Sequence, residues 1–568
     1  MASITGKKTI FFVTSPRSPL KMVEEIRFLV DRFSGRAWTT DIQREYYEAL
    51  TTQPFFEGGQ SADPAFSARD RITRGPKSLG LVDLKPVIAL TPAGSAFISG
   101  NRPEEALLRQ MLKFQFPSPY HIDRGGTFSV KPYLELMRFI RDLDGLTKTE
   151  IALFVMQLIN HTDYDRIKQK IEEFRIAARE NREARQTNYR EFVEQYFERE
   201  LSVVFREEIS SGDVSTRESS EITLRAFIRT KQRNHRDYAD AAIRYLRATS
   251  LFTFNPRSLR VSVMPERAAD VEHILETISR IPVVLNTEEE YGDYLFPANT
   301  PQLLTDNAQA LIQNITARSS DYAVQELESK TVEELKDAFS ETLSKKLEQI
   351  ILQQRIQLRT YGEYDDIQDT FDRIRAADIA DPALFLEWNT WRALEMLDDG
   401  TIKGNFRIDD NGSPLYTAPG NTADIICEYS DFETIVEVTL SSGQRQYEME
   451  GEPVSRHYGN HRRTTDKPVY AIFIAPQINP ATLAHYFVLS RTDVQYYGGR
   501  SSIIPIALDD FRKLLENAKN ASRRPSSQDL KALLNTLSTS AAAAANEGEW
   551  YQNIQSEIAS AFQAEVAS

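Results

Sequence analysis

Apolar residues recur at helical spacing at Met22, Ile26, Leu29 and Val30, which predicts an amphipathic helix near Lys21–Phe33. The apolar run Thr9–Thr14 ahead of it predicts a strand, and Ser15-Pro-Arg-Ser-Pro19 the turn between them. Short helices and strands go on alternating through Ala65–Arg71 and Pro86–Thr91, the pattern of a winged-helix module over residues 1–115. From 116 to 298 helical periodicity dominates, at Tyr133–Leu143, Lys148–Asn160, Tyr164–Arg185 and Tyr189–Glu207. There Arg233–Arg247 is followed by a predicted strand pair, Leu251–Phe254 and Leu259–Val263, again helix then wing. Residues 299–375 are helical and strongly charged, as expected of a spacer.

Residues 376–568 carry a different pattern. A helix capped by Asp381-Pro382 precedes two runs rich in β-branched and aromatic residues about Ser430-Asp431, which predicts a hairpin over Asp424–Thr439. A partly helical segment follows from Gln444 to His457, limited by Pro453. The buried strand Val469–Ala475, the helix Pro480–Leu489, the strand Ile503–Leu508 and a helix from Asp509-Asp510 complete an α-β-β-α-β-α-β-α order. That order belongs to a mixed sheet with helices on its faces. The tail from about 536 is expected to be a helix or frayed terminus without chemistry.

This patterning converges on one chemistry. With Ser430-Asp431 as the turn, Asp424 stands directly opposite Glu437, at a cross-strand Cβ separation of about 5 Å. Two carboxylates that close can share a divalent cation. Thr439 projects from the face that bears Glu437, because strand side chains alternate. The Val438 carbonyl between them is an expected third ligand. Glu450 lies on the next element, where Gln446, Glu450 and His457 fall near one helical face; Glu387, on the preceding helix, can aim at the same spot. An unperturbed histidine titrates near neutrality, which fits His457 as a general base or a phosphate contact, as readily as a histidine bonded within a turn. Surface hairpins often carry solvated acids, and the motif of Asp, twelve residues, Glu, any residue, Thr is weak by itself; the hairpin register and the flanking glutamates strengthen it. No Gly-rich phosphate loop, HExxH or CxxC occurs.

The net charge of -14 is unevenly spread. Residues 1–300 hold 43 Lys and Arg against 42 Asp and Glu, and residues 301–568 hold 25 against 40. The first half is therefore the better reader of phosphates. Its basic clusters are Arg69, Arg71, Arg74 and Lys77, and a second that includes Arg233 and Arg236. A solvated helix face paired with acids is the commoner role for such clusters. The single cysteine, Cys427, excludes a disulfide framework and a thiolate cluster, and a reducing cytoplasm is expected. No apolar stretch reaches membrane-spanning length.

Several ordered blocks resemble one family. Ser15–Pro19, Ala65–Arg71, Arg102-Pro103 through Phe114–Pro117, and Arg236–Tyr245 are similar to its recognition half. Phe385–Trp391, Asp424, Glu437-Val-Thr439 and Met449–Tyr458 are similar to its catalytic half. The family is the AlwI-like type IIS restriction endonucleases with the related site-specific nicking endonucleases. The resemblance implies an α+β multidomain fold: a recognition half containing winged helices, a helical linker and a C-terminal PD-(D/E)xK nuclease domain, in which Thr439 takes the place of the usual lysine. It implies Mg²⁺-dependent hydrolysis, with Mn²⁺ as a substitute, a few bases to one side of a short asymmetric duplex site. Its catalytic acids fall on Glu387, Asp424, Glu437 and Glu450, with His457 beside them; Asp424, Glu437, Glu450 and the Val438 carbonyl are the expected metal ligands. Arg17, Arg69, Arg71, Lys77, Arg233 and Arg236 are the expected DNA contacts. Double-stranded DNA, a second nuclease subunit or transient homodimer for double-strand cleavage, and a cognate DNA methyltransferase are the expected partners in a bacterial cytoplasm. The competing readings are a non-catalytic DNA-binding regulator and a hydrolase of small phosphorylated substrates.

Overall fold

The computed structural model describes residues 2–562 apart from 17, 54, 57–60, 185–186, 377–378, 398, 410–411 and 418–421. The chain divides into two compact units, Met1–Lys345 and Lys346–Ser568, and the helix Val332–Arg359 contains the division.

The first unit is mainly helical. Its longest complete helix, Leu224–Arg247, starts where the Thr223 side chain accepts the Ala226 N–H, satisfying one of the donors a helix start leaves open. One face of this helix buries Phe227, His235, Ala239, Ala242 and Leu246. The strand pair that follows, Phe252–Asn255 and Arg260–Val263, is antiparallel and takes Leu146–Thr147 as a third strand. The expected strand Thr9–Thr14 does not form. Ile10 and Phe12 are buried as in a strand, but the Ile10 N–H goes to the Met156 carbonyl and the Val13 N–H to the Tyr133 hydroxyl, so this stretch joins no ladder. Burial gives it the pattern of a strand, and isolated tertiary bonds replace the pairing.

The second unit is built on a five-stranded mixed sheet. Helix α1 (Pro382–Leu397) precedes strands β1 (Thr401–Gly404), β2 (Ile425–Glu428) and β3 (Glu433–Val438). Helix α2 (Gln444–Arg462), β4 (Val469–Ala475), α3 (Pro480–Arg491), β5 (Ile503–Ala507) and α4 (Leu508–Asn520) then alternate. The spatial order is β5-β4-β3-β2-β1, antiparallel between β1, β2 and β3 and parallel from β3 through β5. All seven residues of β4 are buried, as a parallel central strand covered on both faces requires. Strand β1 departs from the expected order. It is a four-residue edge strand, held to α1 by the Trp391 indole N–H on the Ile402 carbonyl at 3.1 Å. A two-stranded ribbon, Phe406–Ile408 with Pro414–Thr417, lies between β1 and β2 in the chain. The tail forms two helices, Ser527–Ala543 and Glu547–Ser560, and the fully buried Trp550 seats it in the core.

Candidate active site

The hairpin sets the geometry. Strands β2 and β3 pair Ile425 with Val436 and Glu428 with Glu433 around the loop Tyr429–Phe432, whose two rings stack at 4.1 Å. Extending that register places Asp424 across from Glu437. Asp424 Oδ2 accepts the Val438 N–H at 2.8 Å, fixing its carboxylate across the end of the pair.

Glu437 is 7% exposed, and its Oε1 lies 2.7 Å from Nδ1 of His457 on α2. Thr439, past the end of β3, donates from Oγ1 to Glu450 Oε1 at 2.6 Å. Glu450 and His457 are separated by two helical turns, so both look down one face of α2. Helix α2 continues through Pro453 instead of stopping at it. The missing N–H frees only the carbonyl of Met449, an exposed residue, and side-chain anchors hold the helix start. Chief among them is buried Gln446, whose amide donates to the Ser441 and Gln477 carbonyls and accepts the Asn479 N–H. Glu387, buried on α1, accepts from the Thr417 hydroxyl at 3.2 and 3.3 Å.

The electrostatics are those of crowded, dry acids. Burial, and next the charge of Glu450, push the Glu437 carboxyl well above its usual range. Glu450 is raised by burial, against the bonds from Thr439 and Ser441. His457 is lowered by burial. The Glu437–His457 contact therefore favours a neutral pair with one proton between the two atoms. Its other ring nitrogen, Nε2, has no hydrogen-bond partner among the described residues.

Could these groups hold a metal? The donors are oxygens of the kind hard divalent cations choose, and a cation would relieve the repulsion between Glu437 and Glu450. Each acid, however, is turned toward a protein partner, and no group of three His, Cys, Asp or Glu among the described residues stands as a ready metal cluster.

A second acid–histidine pair was not singled out in the sequence. His461 Nε2 lies 2.8 Å from Glu433 Oε2, one turn along α2 and four residues back along β3 from the first pair. Nothing local marks it, because the partners are 28 residues apart.

In the first unit the expected DNA contacts separate. Arg69 and Arg233 are exposed. Arg71 is committed to an ion pair with buried Glu25 and lies over the Phe56 ring, and Arg236 pairs with Glu194 at 3.0 Å over the Phe197 ring. Lys77 sits 4.5 Å from the centre of the Tyr120 ring. Arg17 lies outside the described residues.

The model of the AlwI restriction endonuclease family matches residues 77–514. The chain belongs to that family. It is thus a site-specific DNA endonuclease, a DNA-cleaving hydrolase by family. The family match takes in Lys77, Arg233, Arg236 and every candidate acid, and leaves out Arg17, Arg69 and Arg71. Among solved structures, the chain is similar to the small subunit of the heterodimeric restriction endonuclease R.BspD6I, at 24% identity and a TM-score of 0.30, over 34% of this chain and 97% of that one. It is also similar to the BpuJ1 endonuclease binding domain, solved with pyrene- and phenanthrene-modified DNA, at 12% identity and a TM-score of 0.33, over 51% and 96%. Similarities of this size add no argument to the family assignment. No curated protein sequence matches the chain. Among the described residues no helix is long and apolar enough to cross a membrane.

Proposed function

We propose that the chain is a type IIS endonuclease that reads a short asymmetric duplex site and cuts one strand a few bases to one side of it. The observation that carries the reading is the meeting of Asp424, Glu437, Thr439, Glu450 and His457 at the end of the β2–β3 pair. Family membership supplies the reaction, and here the buried Glu437 faces Glu450, whose carboxyl is also raised by burial. In this reading residues 376–568 are a PD-(D/E)xK nuclease domain, 299–375 a helical linker, and 1–115 and 116–298 two winged-helix-like recognition subdomains. The helix Leu224–Arg247 followed by its strand pair supports the last of these. Arg69, Lys77 and Arg233 are the proposed DNA contacts in the first unit. Arg71 and Arg236 would have to exchange protein partners to join them, and Lys77 would have to leave Glu288, 3.9 Å from its ammonium.

Asp424, Glu437, Glu450 and the Val438 carbonyl would hold Mg²⁺ or Mn²⁺. A bound divalent ion supplies Lewis acidity at the phosphoryl oxygen and lowers the pKa of a coordinated water. The chain's own residues do the rest. His457 keeps a proton against Glu437 through Nδ1 and offers Nε2 to a substrate oxygen or water. Thr439 orients Glu450 where other enzymes of this superfamily use lysine. Glu387 completes the acid set from α1. One such centre cuts one strand, so a double-strand break requires a second nuclease subunit or a second copy of the chain. A cognate methyltransferase would protect host DNA. Supercoiled plasmid incubated with and without Mg²⁺ tests the reading: a site-specific nick or cut only with metal is expected. Retarded but uncut plasmid would instead identify a regulator, and absence of any DNA affinity would favour a small-substrate hydrolase.

A further inference from the structure

A cleft of ≈ 830 Å³ opens in the first unit between the N-terminal segment, the Pro64–Ile72 helix with the turn after it, and the Leu224–Arg247 helix. A smaller neighbour of ≈ 350 Å³ shares Lys7, Phe11, Asn234 and Tyr238 with it, so the two lie side by side along the long helix. The floor is aromatic, with buried Phe12, Phe114 and Tyr120 beneath, and the walls carry Lys7, Arg69, Arg74, Lys77 and Arg217 beside the acids Asp70, Glu218 and Asp237.

The cations differ in what holds them. Arg74 is tied to Asp70 at 2.5 Å, and Arg217 to Glu218 at 3.9 Å. Lys7 is different. Its ammonium rests 4.6 Å from the centre of the Phe11 ring, and no carboxylate pairs with it among the described residues. The charges it does meet are positive: Arg74 from the turn after the Pro64–Ile72 helix and Lys231 from the long helix. Together with partial removal from water, the larger effect, they lower its affinity for a proton. Lys231 in turn sits against the rings of Phe205 and Phe227 at 4.7 and 5.0 Å, again with no carboxylate among the described residues. A fold does not gain by pointing unpaired cations at one another; such a cluster is complete only when an anion lies between them.

The turn that delivers Arg74 and Lys77 is held tightly. Residues Thr73–Lys77 form one wide π-type turn after the helix, and the Leu81 N–H closes back on the Pro76 carbonyl at 2.8 Å. A side chain at Gly75 would meet the Ser15 carbonyl at 2.5 Å. The N-terminal segment and the basic turn are therefore locked as one wall. On the facing helix Lys231, Asn234 and Tyr238 recur at spacings of three and four residues, so one stripe supplies an amide and a phenol to both cavities and a cation to the smaller one.

We infer that this cleft grips the phosphodiester backbone of the recognised duplex, with Lys7 and Lys231 as phosphate contacts on opposite walls. The inference rests on the DNA-reading role proposed for this unit; it adds Lys7, which lies outside the family match and both basic clusters of the sequence, and picks Lys231 out of the second cluster. The aromatic floor supports the sugar edge, while Asn234 and Tyr238 stand at the lip as hydrogen-bonding groups.

The test measures binding of the full-length protein to two labelled duplexes, one with the mapped site and one scrambled, between 50 and 200 mM salt without divalent metal. One phosphate contact changes the slope of log affinity against log salt by about 0.9, which is about eightfold in affinity at 0.1 M salt. Lys7→Ala and Lys231→Ala are each expected to lose about that much on both duplexes. The double variant should lose about 1.8 in slope, and Lys7→Arg should restore most of the single loss. Arg36→Ala, which removes an exposed cation already paired with Glu45, should leave the slope unchanged. A slope for Lys7→Ala equal to that of wild type and Arg36→Ala, in a protein whose unfolding transition is normal, overturns the inference. If wild-type protein binds neither duplex, the DNA-reading role itself fails, an outcome distinct from a wild type that binds while Lys7 proves irrelevant.

Discussion

Replacing Glu437 by glutamine separates chemistry from folding at the proposed centre. The side chain keeps its shape, and His457 keeps a partner, because an amide can accept or donate where Oε1 now lies 2.7 Å from Nδ1. What disappears is a carboxyl whose ionised form is costly where it stands, buried and facing the charge of Glu450. Relief of that cost offsets the weaker hydrogen bond, so stability should change by less than about 1 kcal/mol. Glu437→Ala is the informative contrast: it strands a half-buried imidazole and leaves a void, at about 2–4 kcal/mol. Activity should fall in both variants. Removing one metal-holding charge forfeits several kcal/mol of transition-state stabilisation, and about 4 kcal/mol is roughly a thousandfold in rate. Single-turnover cleavage of supercoiled plasmid measures the rate, anisotropy the DNA affinity, and urea unfolding the stability. The reasoning predicts a Glu437→Gln protein that is folded, binds DNA like wild type and is at least about a thousandfold slower. A normally folded variant that cuts within tenfold of wild type would refute the role of Glu437; a parallel loss of DNA affinity would refute the separation of reading from cutting.

Further outcomes follow from particular contacts. Gly75→Ala pushes a methyl group against the Ser15 carbonyl, so the first unit should lose about 1–3 kcal/mol in denaturant unfolding; unchanged stability would show that the basic turn is free to shift. Trp550→Ala empties the seat of the C-terminal helices and breaks the indole bond to the Leu537 carbonyl at 3.2 Å, an expected loss of about 3–5 kcal/mol; a loss under 1 kcal/mol would mean that the tail is dispensable. Burial alone would raise the Asp306 carboxyl, but bonds from Arg109, the Leu303 N–H and Lys336 outweigh it and lower its pKa from 3.8 to about 2. A depressed carboxylate stabilises the fold above its unfolded pKa, so about 2 kcal/mol should be lost as the pH falls from about 4 to about 2. Asp306→Asn should lack that component of the acid dependence, and an unaltered acid profile in the variant would contradict the assignment.

How much of this was legible beforehand depends on whether the information is local. The hairpin register was, because a polar turn between two β-branched runs leaves one in-phase pairing, and Ile425 does face Val436. So was β4, whose bounds match the expected Val469–Ala475, since an unbroken apolar run of seven can only be a covered strand in this setting. Strand β1 escaped notice because an edge strand of four residues, half of them polar and closed by Gly404, carries little pattern. Thr9–Thr14 misled in the opposite way: its apolar run records burial beside Met156 and Tyr133, and the pairing that makes a strand depends on neighbours that no periodicity reveals. Pro453 read as a limit because propensity counts the lost bond, while the anchors of Gln446, which let the helix continue, come from loops 5 to 33 residues away. The pairing of His461 with Glu433 and the exposure of Lys7 to Arg74 and Lys231 are likewise long-range facts. Acids could be placed by register; which cations stand unpaired could not.

Run-off sequencing of plasmid digested in Mg²⁺ by wild-type and Glu437→Gln proteins bears most directly on the account. A single 5′ end at one fixed distance from one asymmetric sequence, on one strand for each catalytic domain, and absent with the variant, is the expected record. Ends scattered without a common sequence, or the same ends persisting in the variant, would contradict it.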